Sequence, residues 1–218
     1  MPVTSALRTA FDCAFDEPPH NALVIADSAL RLYCESDRRR PEMAEQKEDE
    51  ARALWDEMFR RNPKRTGIAT ARAVLESASP WAESAAESMA RWFVLCLGLP
   101  KPELQAPIAT PQGVKYPDLC WPNCKLIVEV DGHLKYHSGQ VLVNEKLREE
   151  SIGNQGWRFI RITTPEFHDS QTLSEKLLAG FPLTVLSRRR PNLLLWGQWR
   201  GPGYWLPAGS TLFHKRKK

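Results

Sequence analysis

No run of 18 apolar residues occurs anywhere in the 218-residue chain, and its first residues lack a basic flank leading into an apolar core. The sequence therefore predicts neither a membrane-spanning helix nor a secretory signal peptide, and a cytoplasmic protein is the simplest reading. Also missing is any Cys-x-x-Cys pair. The five cysteines (Cys13, Cys34, Cys96, Cys120 and Cys124) are odd in number and mostly embedded in apolar segments, which predicts buried reduced thiols. Cys120-x-x-x-Cys124 has no second half with which to complete a zinc site. No internal repeat is visible.

Acidic residues are absent from Arg188 to the end. That segment holds eight of the 30 basic residues (Arg188, Arg189, Arg190, Arg200, Lys215, Arg216, Lys217 and Lys218), leaving 22 basic against 26 acidic elsewhere, a net of −4. A basic arm on an acidic body follows. Trp196, Trp199, Tyr204, Trp205 and Phe213 are interleaved with its charges, a mixture suited to phosphate contact and base stacking. The alternative reading makes "NLLLWGQW" a last core strand and "HKRKK" a solvated tail.

With 218 residues the chain is long enough for one well-packed domain, or for a domain plus a helical extension, and a composition 42% hydrophobic and 26% charged is that of a globular protein. Apolar spacing predicts helices over 4–15 and 20–34, with Thr4 or Ser5 as the first cap, then a charged linker near 35–50. Two more amphipathic helices follow in "DEARALWDEMFRR" and "TARAVLESA", and Ser79-Pro80 is read as the start of a long helix ending before Gly98. The period then changes. "ELQAPIA", "VKYPDLCW" and "KLIVEVD" read as strands, "VLVNEKLREESIGNQ" as a helix, "WRFIRIT" as a fourth strand and "PEFHDSQTLSEKLLAG" as a closing helix. This gives an α/β protein with a helical region over 1–78, an α/β domain over 79–187 and a basic aromatic extension over 188–218.

The carboxylates stand out against this pattern. With Pro122-Asn123 as the turn of a hairpin, Trp121 faces Cys124, Asp118 lies opposite Ile127 and diagonal to Glu129, and Asp118, Glu129 and Asp131 leave one face. Like charges so placed repel and raise one another's pKa, and Mg2+ or Mn2+ with oxygen ligands would remove the conflict. The alternative is that these acids face water or pair with Lys125 and Lys115. Glu87 heads an inward stripe with Ala90, Val94 and Leu97, or else pairs with Arg91.

The order helix–β–β–β–α–β, with Pro117-Asp118 on the second strand and Glu129 on the third, resembles the PD-(D/E)XK nuclease superfamily. The nearest resemblance is to bacterial endonuclease-domain proteins related to very-short-patch mismatch-repair endonucleases. It runs from about Glu87 to Thr163 through "GLPKPELQ", "DLCWP", "VEVDGHLKY" and "EKLREESIGNQGWRFIRIT". The resemblance implies a restriction-endonuclease-like αβββαβ core with a mixed central sheet, and Mg2+- or Mn2+-dependent hydrolysis of DNA phosphodiesters. Glu87, Asp118 and Glu129 fall at the family's acidic positions, with Asp118 and Glu129 as metal ligands, and Gln105 matches a recurring polar position. The superfamily signature has Lys two residues after Glu129, where this chain has Asp131. The nearer relatives share an E-x-D-G-x-x-K-Y pattern, which here covers Asp131, Lys135 and Tyr136.

That departure leaves the charge-stabilising cation to be assigned. Lys125 lies four residues upstream of Glu129, roughly 13 Å along a strand, and Lys146 has acidic neighbours in Glu145, Glu149 and Glu150. Lys135 follows Asp131-Gly132, whose glycine can turn the chain back, and is the expected catalytic lysine. His133 and His137 are either proton carriers or surface histidines beside a turn. "HLKYH" does not match the His-Glu-x-x-His pattern of metalloproteases.

"VTSALRTAFDCAFDEPPHNALVIADSALR" resembles the segment that joins a winged-helix DNA-binding domain to a nuclease-like domain in AbiEi-like antitoxin proteins of actinobacteria. The sequence opens where that winged helix would already have ended, so the reader domain is either lacking or lost with the start of the chain. Two functions therefore compete. One is a Mg2+-dependent DNA endonuclease in phage defence or DNA repair, acting as a homodimer or with a partner protein that supplies sequence recognition. The other is a catalytically inactive DNA-binding regulator of antitoxin type.

Overall fold

A computed structural model of the chain describes residues 3–38, 40–111, 113–131, 153 and 155–196. The chain divides into two units, Met1–Trp92 with Asn192–Trp199, and Phe93–Pro191 with Arg200–Lys218.

The first unit is helical. Ser5 caps α1 (Ala6–Asp16) by accepting from the Arg8 N–H, and prolines at the first turns open α2 (Pro19–Cys34) and α3 (Pro41–Arg61). The expected linker near 35–50 is thus corrected: from Pro41 onward it is helix. Ala44 and Ala51 keep its apolar stripe, while the charged majority is the solvated face, with Glu48 and Arg52 paired across one turn. α4 (Ile68–Ser77) follows Gly67, whose φ of +85° is the left-handed conformation that glycine adopts without strain. Leu7, Phe11, Leu23, Leu30, Trp55, Phe59 and Val74 form the core. The Trp55 indole donates to the Leu7 carbonyl at 2.9 Å, and Phe11 meets Phe59 edge-on at 4.9 Å.

Helix α5 (Ala85–Cys96) begins five residues later than its sequence suggests. The Ser79 hydroxyl does accept from the Trp81 N–H at 3.3 Å, but only a turn follows it, and the Ser79 N–H donates to Asp27 at 2.8 Å. Ser84 is the effective cap, its hydroxyl accepting from the Glu87 N–H at 3.2 Å. The same unit holds a buried ion pair: Arg91 grips Asp27 and also donates to the Ser77 carbonyl. Arg91 thus has Asp27 as its buried ion-pair partner. A short helix, α8 (Leu193–Trp196), ends the described chain, so "NLLLWGQW" opens as a helix rather than a core strand. It is anchored by the Trp92 indole, which donates to the Leu195 carbonyl at 2.9 Å, and by an edge-on contact of Trp92 with Trp196.

The second unit is mixed α/β. Its strands are β1 (Glu103–Leu104), β2 (Ile108–Thr110), β3 (Gly113–Lys115), β4 (Leu119–Trp121), β5 (Leu126–Asp131) and β6 (Arg158–Thr163). A four-stranded mixed sheet runs in the order β1-β4-β5-β6, antiparallel except for the parallel β5–β6 pair, and β2–β3 form a separate hairpin. Each of the first two expected strands is thus two strands. Gln105 breaks the first by entering the left-handed region at φ +52°, and Pro107 and Pro117 lack the N–H that a ladder requires. After β6 come a 3-10 turn (Thr164–His168), α6 (Ser170–Ala179) and α7 (Leu183–Leu186). The expected helix over 141–155 lies almost wholly outside the described residues.

One sheet face carries Leu119, Trp121, Leu126, Val128, Ile160 and Ile162, buried in the core, where Trp121 meets Phe181 edge-on at 5.0 Å. Gly180 approaches this face so closely that a Cβ there would lie 2.5 Å from Ile160 Cδ1. Gly98 is confined in a different way: its φ is +70°, and a Cβ would fall 2.1 Å from the Arg190 backbone. The Arg189 guanidinium donates to the Leu97 carbonyl nearby, at 3.3 Å.

Candidate functional site

The opposite sheet face is divided. At one end Cys120, Ile127 and Ile108 form a small buried cluster with Ala106, Trp157 and Phe159. At the other end the same face carries Asp118, Glu129 and Asp131, all half-buried.

The hairpin register that places them differs from the expected one by two residues. Leu119 pairs with Val128, Cys120 with Ile127 and Trp121 with Leu126. The cause is the turn, where Pro122–Cys124 form a 3-10 turn and Lys125 adopts φ +45°, so the connection consumes four residues instead of two. A slip of two preserves the face of every side chain, and one step further along the register brings Asp118 level with Glu129 rather than diagonal to it. The Asp118 carboxylate is fixed there by a 2.8 Å hydrogen bond that its Oδ2 accepts from the Val130 N–H.

Gln105 is buried at the same end of the sheet, just beyond β1. Its N–H donates to the Pro117 carbonyl at 3.0 Å, one residue before Asp118. A left-handed, non-glycine residue held this way stores local strain. On the far side of Glu129, the parallel register sets Arg161 directly alongside it, and Thr163 alongside Asp131. The Asp131 carbonyl accepts from the Thr164 hydroxyl at 3.4 Å.

Glu87 belongs to the first unit, where its carboxylate accepts from the Glu83 N–H and the Ser84 hydroxyl, both at 2.8 Å. In the structure it therefore serves the start of α5. Of the arginines expected to meet nucleic acid, Arg188 and Arg190 are exposed and Arg189 is half-buried against the end of α5. Lys135, His133, Tyr136, His137, Lys146, Arg200 and Lys215 to Lys218 lie outside the described residues.

Among the described residues, no group of three or more His, Cys, Asp and Glu side chains is gathered closely enough to hold a metal ion. Asp118 and Glu129 nevertheless fit what Mg2+ asks of a protein, one or two carboxylates with the remaining oxygens drawn from water and substrate phosphate. Arg161 is the residue that sequence reasoning passed over. Its signal was the alternation in "RFIRIT", which sends Ile160 and Ile162 to the core and Arg161 to the carboxylate face.

No family model matches the chain, and no solved structure matches it. Among curated proteins it is similar to two from Mycobacterium tuberculosis strains, "Uncharacterized protein MT2308" and "Uncharacterized protein Rv2248", each 31% identical over 166 residues. The match covers 75% of this chain and 55% of each relative, so the chain spans about half the length of the curated relatives it matches. No helix among the described residues is long and apolar enough to cross a membrane.

Proposed function

We propose that this protein is a metal-dependent DNA endonuclease of PD-(D/E)XK type, with Asp118 and Glu129 as its metal ligands. The observation that carries the reading is the register of β4 against β5, which sets these two half-buried carboxylates side by side on one sheet face. The strand order supports it as well. A helix is followed by strands whose order in the sheet is β1-β4-β5-β6, three antiparallel and the last parallel, in keeping with the mixed sheet that the resemblance implies.

When bound, a divalent cation supplies Lewis-acid polarisation of a phosphate oxygen and acidifies a coordinated water. The protein's part is placement. Asp118 keeps Oδ2 on the Val130 N–H, which restrains its carboxylate. Asp118 and, from the neighbouring strand, Glu129 would hold the ion, with Asp131, two residues along the same face, in an assisting role. Exposed Arg188 and Arg190 are available to the DNA backbone, with the rest of the basic arm continuing that contact.

The reading is tested by incubating the purified protein with supercoiled plasmid and Mg2+ or Mn2+, with EDTA as control. Metal-dependent nicking or linearisation is expected. Retention of intact plasmid in a metal-independent complex would replace this reading with that of an antitoxin-type DNA-binding regulator.

A further inference from the structure

We infer that Arg161 is the cation that contacts the scissile phosphate, filling the role of the lysine missing after Glu129; this rests on the nuclease reading above. Three observations converge on it. The parallel β5–β6 register pairs Glu129 with Arg161, so the two side chains leave the same face from strands about 4.8 Å apart. The alternation of β6 confirms the face, since Ile160 and Ile162 are buried on the other side while Arg161 is exposed. The apolar cluster of Ile108, Cys120 and Ile127 occupies the other half of this face, so Arg161 stands at the end that carries the carboxylates. Lys125, at the far end of β5, donates to the Gln155 carbonyl at 2.8 Å and serves as the control.

Chemistry favours an arginine at such a place. Two carboxylates and a phosphodiester bring several negative charges together, and more charge develops on the phosphate oxygens during attack. A guanidinium stays protonated whatever its neighbours, and its fork can meet two phosphate oxygens at once. A lysine in the superfamily position would reach the phosphate from Glu129's own strand. Arg161 reaches it from the next strand, and Asp131 then occupies the vacated position without loss of the cation.

The test separates this role from that of a surface ion-pair partner. Plasmid cleavage in Mg2+ and binding of a 30-base-pair duplex in Ca2+, over a series of salt concentrations, are measured for the wild type, Arg161→Ala, Arg161→Lys and Lys125→Ala. Arg161→Ala should cleave about 100-fold or more slowly, as loss of a preorganised charge does. Its binding should lose roughly 0.9 from the salt slope, the equivalent of one phosphate contact, with an unchanged melting temperature. Arg161→Lys should recover part of both, and Lys125→Ala should match the wild type. An unchanged slope with a lowered melting temperature in Arg161→Ala would overturn the assignment in favour of a structural pair. Wild-type protein that binds without cleaving would sink the nuclease reading and with it the scissile-phosphate role, and the slope comparison would then decide only whether Arg161 meets a DNA phosphate. Absence of wild-type binding would overturn both.

Discussion

The Asp118 carboxylate accepts a 2.8 Å hydrogen bond from the Val130 N–H, tying β4 to β5 at the point where two acids share a face. One side chain thus has a structural and a proposed chemical task, and the two can be separated. Asp118→Asn keeps an acceptor for Val130 and removes the charge. Plasmid cleavage should disappear while the urea midpoint stays within error, and Glu129→Gln should behave likewise. Asp118→Ala should lose cleavage and also about 1–3 kcal/mol of stability, because a half-buried N–H is left without its partner. Undiminished cleavage by Asp118→Ala or Glu129→Ala at low Mg2+ would refute the site.

The buried Asp27–Arg91 pair in the helical unit makes a stability prediction independent of any activity. Both residues are almost fully buried, and the Arg91 Nε has no hydrogen-bond partner among the described residues. Arg91→Met leaves Asp27 as an uncompensated buried charge and should cost about 3–5 kcal/mol in urea unfolding. The double variant Asp27→Leu/Arg91→Met should recover part of that loss, but not all, since the Ser79 N–H and the Ser77 carbonyl then lose their partners. Additive losses in the double variant would show that the pair is not the unit of stability.

His20 gives the helical unit a pH dependence of definite sign. It packs against the Trp92 ring, with centroids 5.3 Å apart, and burial holds its pKa below the usual value of 6.5, Glu17 working in the opposite direction. Protonation is therefore harder in the folded state than in the unfolded one. The stability that results is present in full above pH 6.5 and is lost as the pH falls through the folded pKa. Melting temperatures at pH 7.5 and pH 5 should differ less for His20→Gln than for the wild type. An equal difference would assign the acid sensitivity to other groups.

Much of this was legible in the residues. Helices α1 and α2, the acid-bearing hairpin and the final strand "RFIRIT" follow from apolar periodicity and turn chemistry, since a buried face imposes its period on the sequence. Two kinds of feature were not legible. Helix starts are hard to choose among competing caps. The Ser79 hydroxyl accepts from the Trp81 N–H and closes only a turn, with its N–H held by Asp27, 52 residues away in sequence, while the helix starts after Ser84. Charged helical faces read as linkers when apolar positions are filled by alanine, as with Ala44 and Ala51 in α3. The alignment of Glu129 with Arg161 on neighbouring strands was hidden for a third reason. Parallel register is set by the crossover and the shared core of both strands, and no local pattern records it.

Lys125 offers the last test, because it decides between a catalytic and a conformational reading of one lysine. Its φ of +45° places a residue with a Cβ in the left-handed region, and its ammonium reaches the Gln155 carbonyl at the surface. The four-residue turn that brings Asp118 level with Glu129 depends on this conformation. Glycine adopts it without the steric cost, and an exposed hydrogen bond contributes little, so Lys125→Gly should stabilise the protein by about 0.5–1 kcal/mol. Lys125→Ala keeps the strain, loses the bond and should be mildly destabilising. Both variants should retain wild-type affinity for duplex DNA, since the lysine stands at the end of β5 away from the carboxylates. If Lys125→Gly were no more stable than Lys125→Ala, the turn would not be strained as described, and a drop in DNA affinity would return this lysine to the binding face.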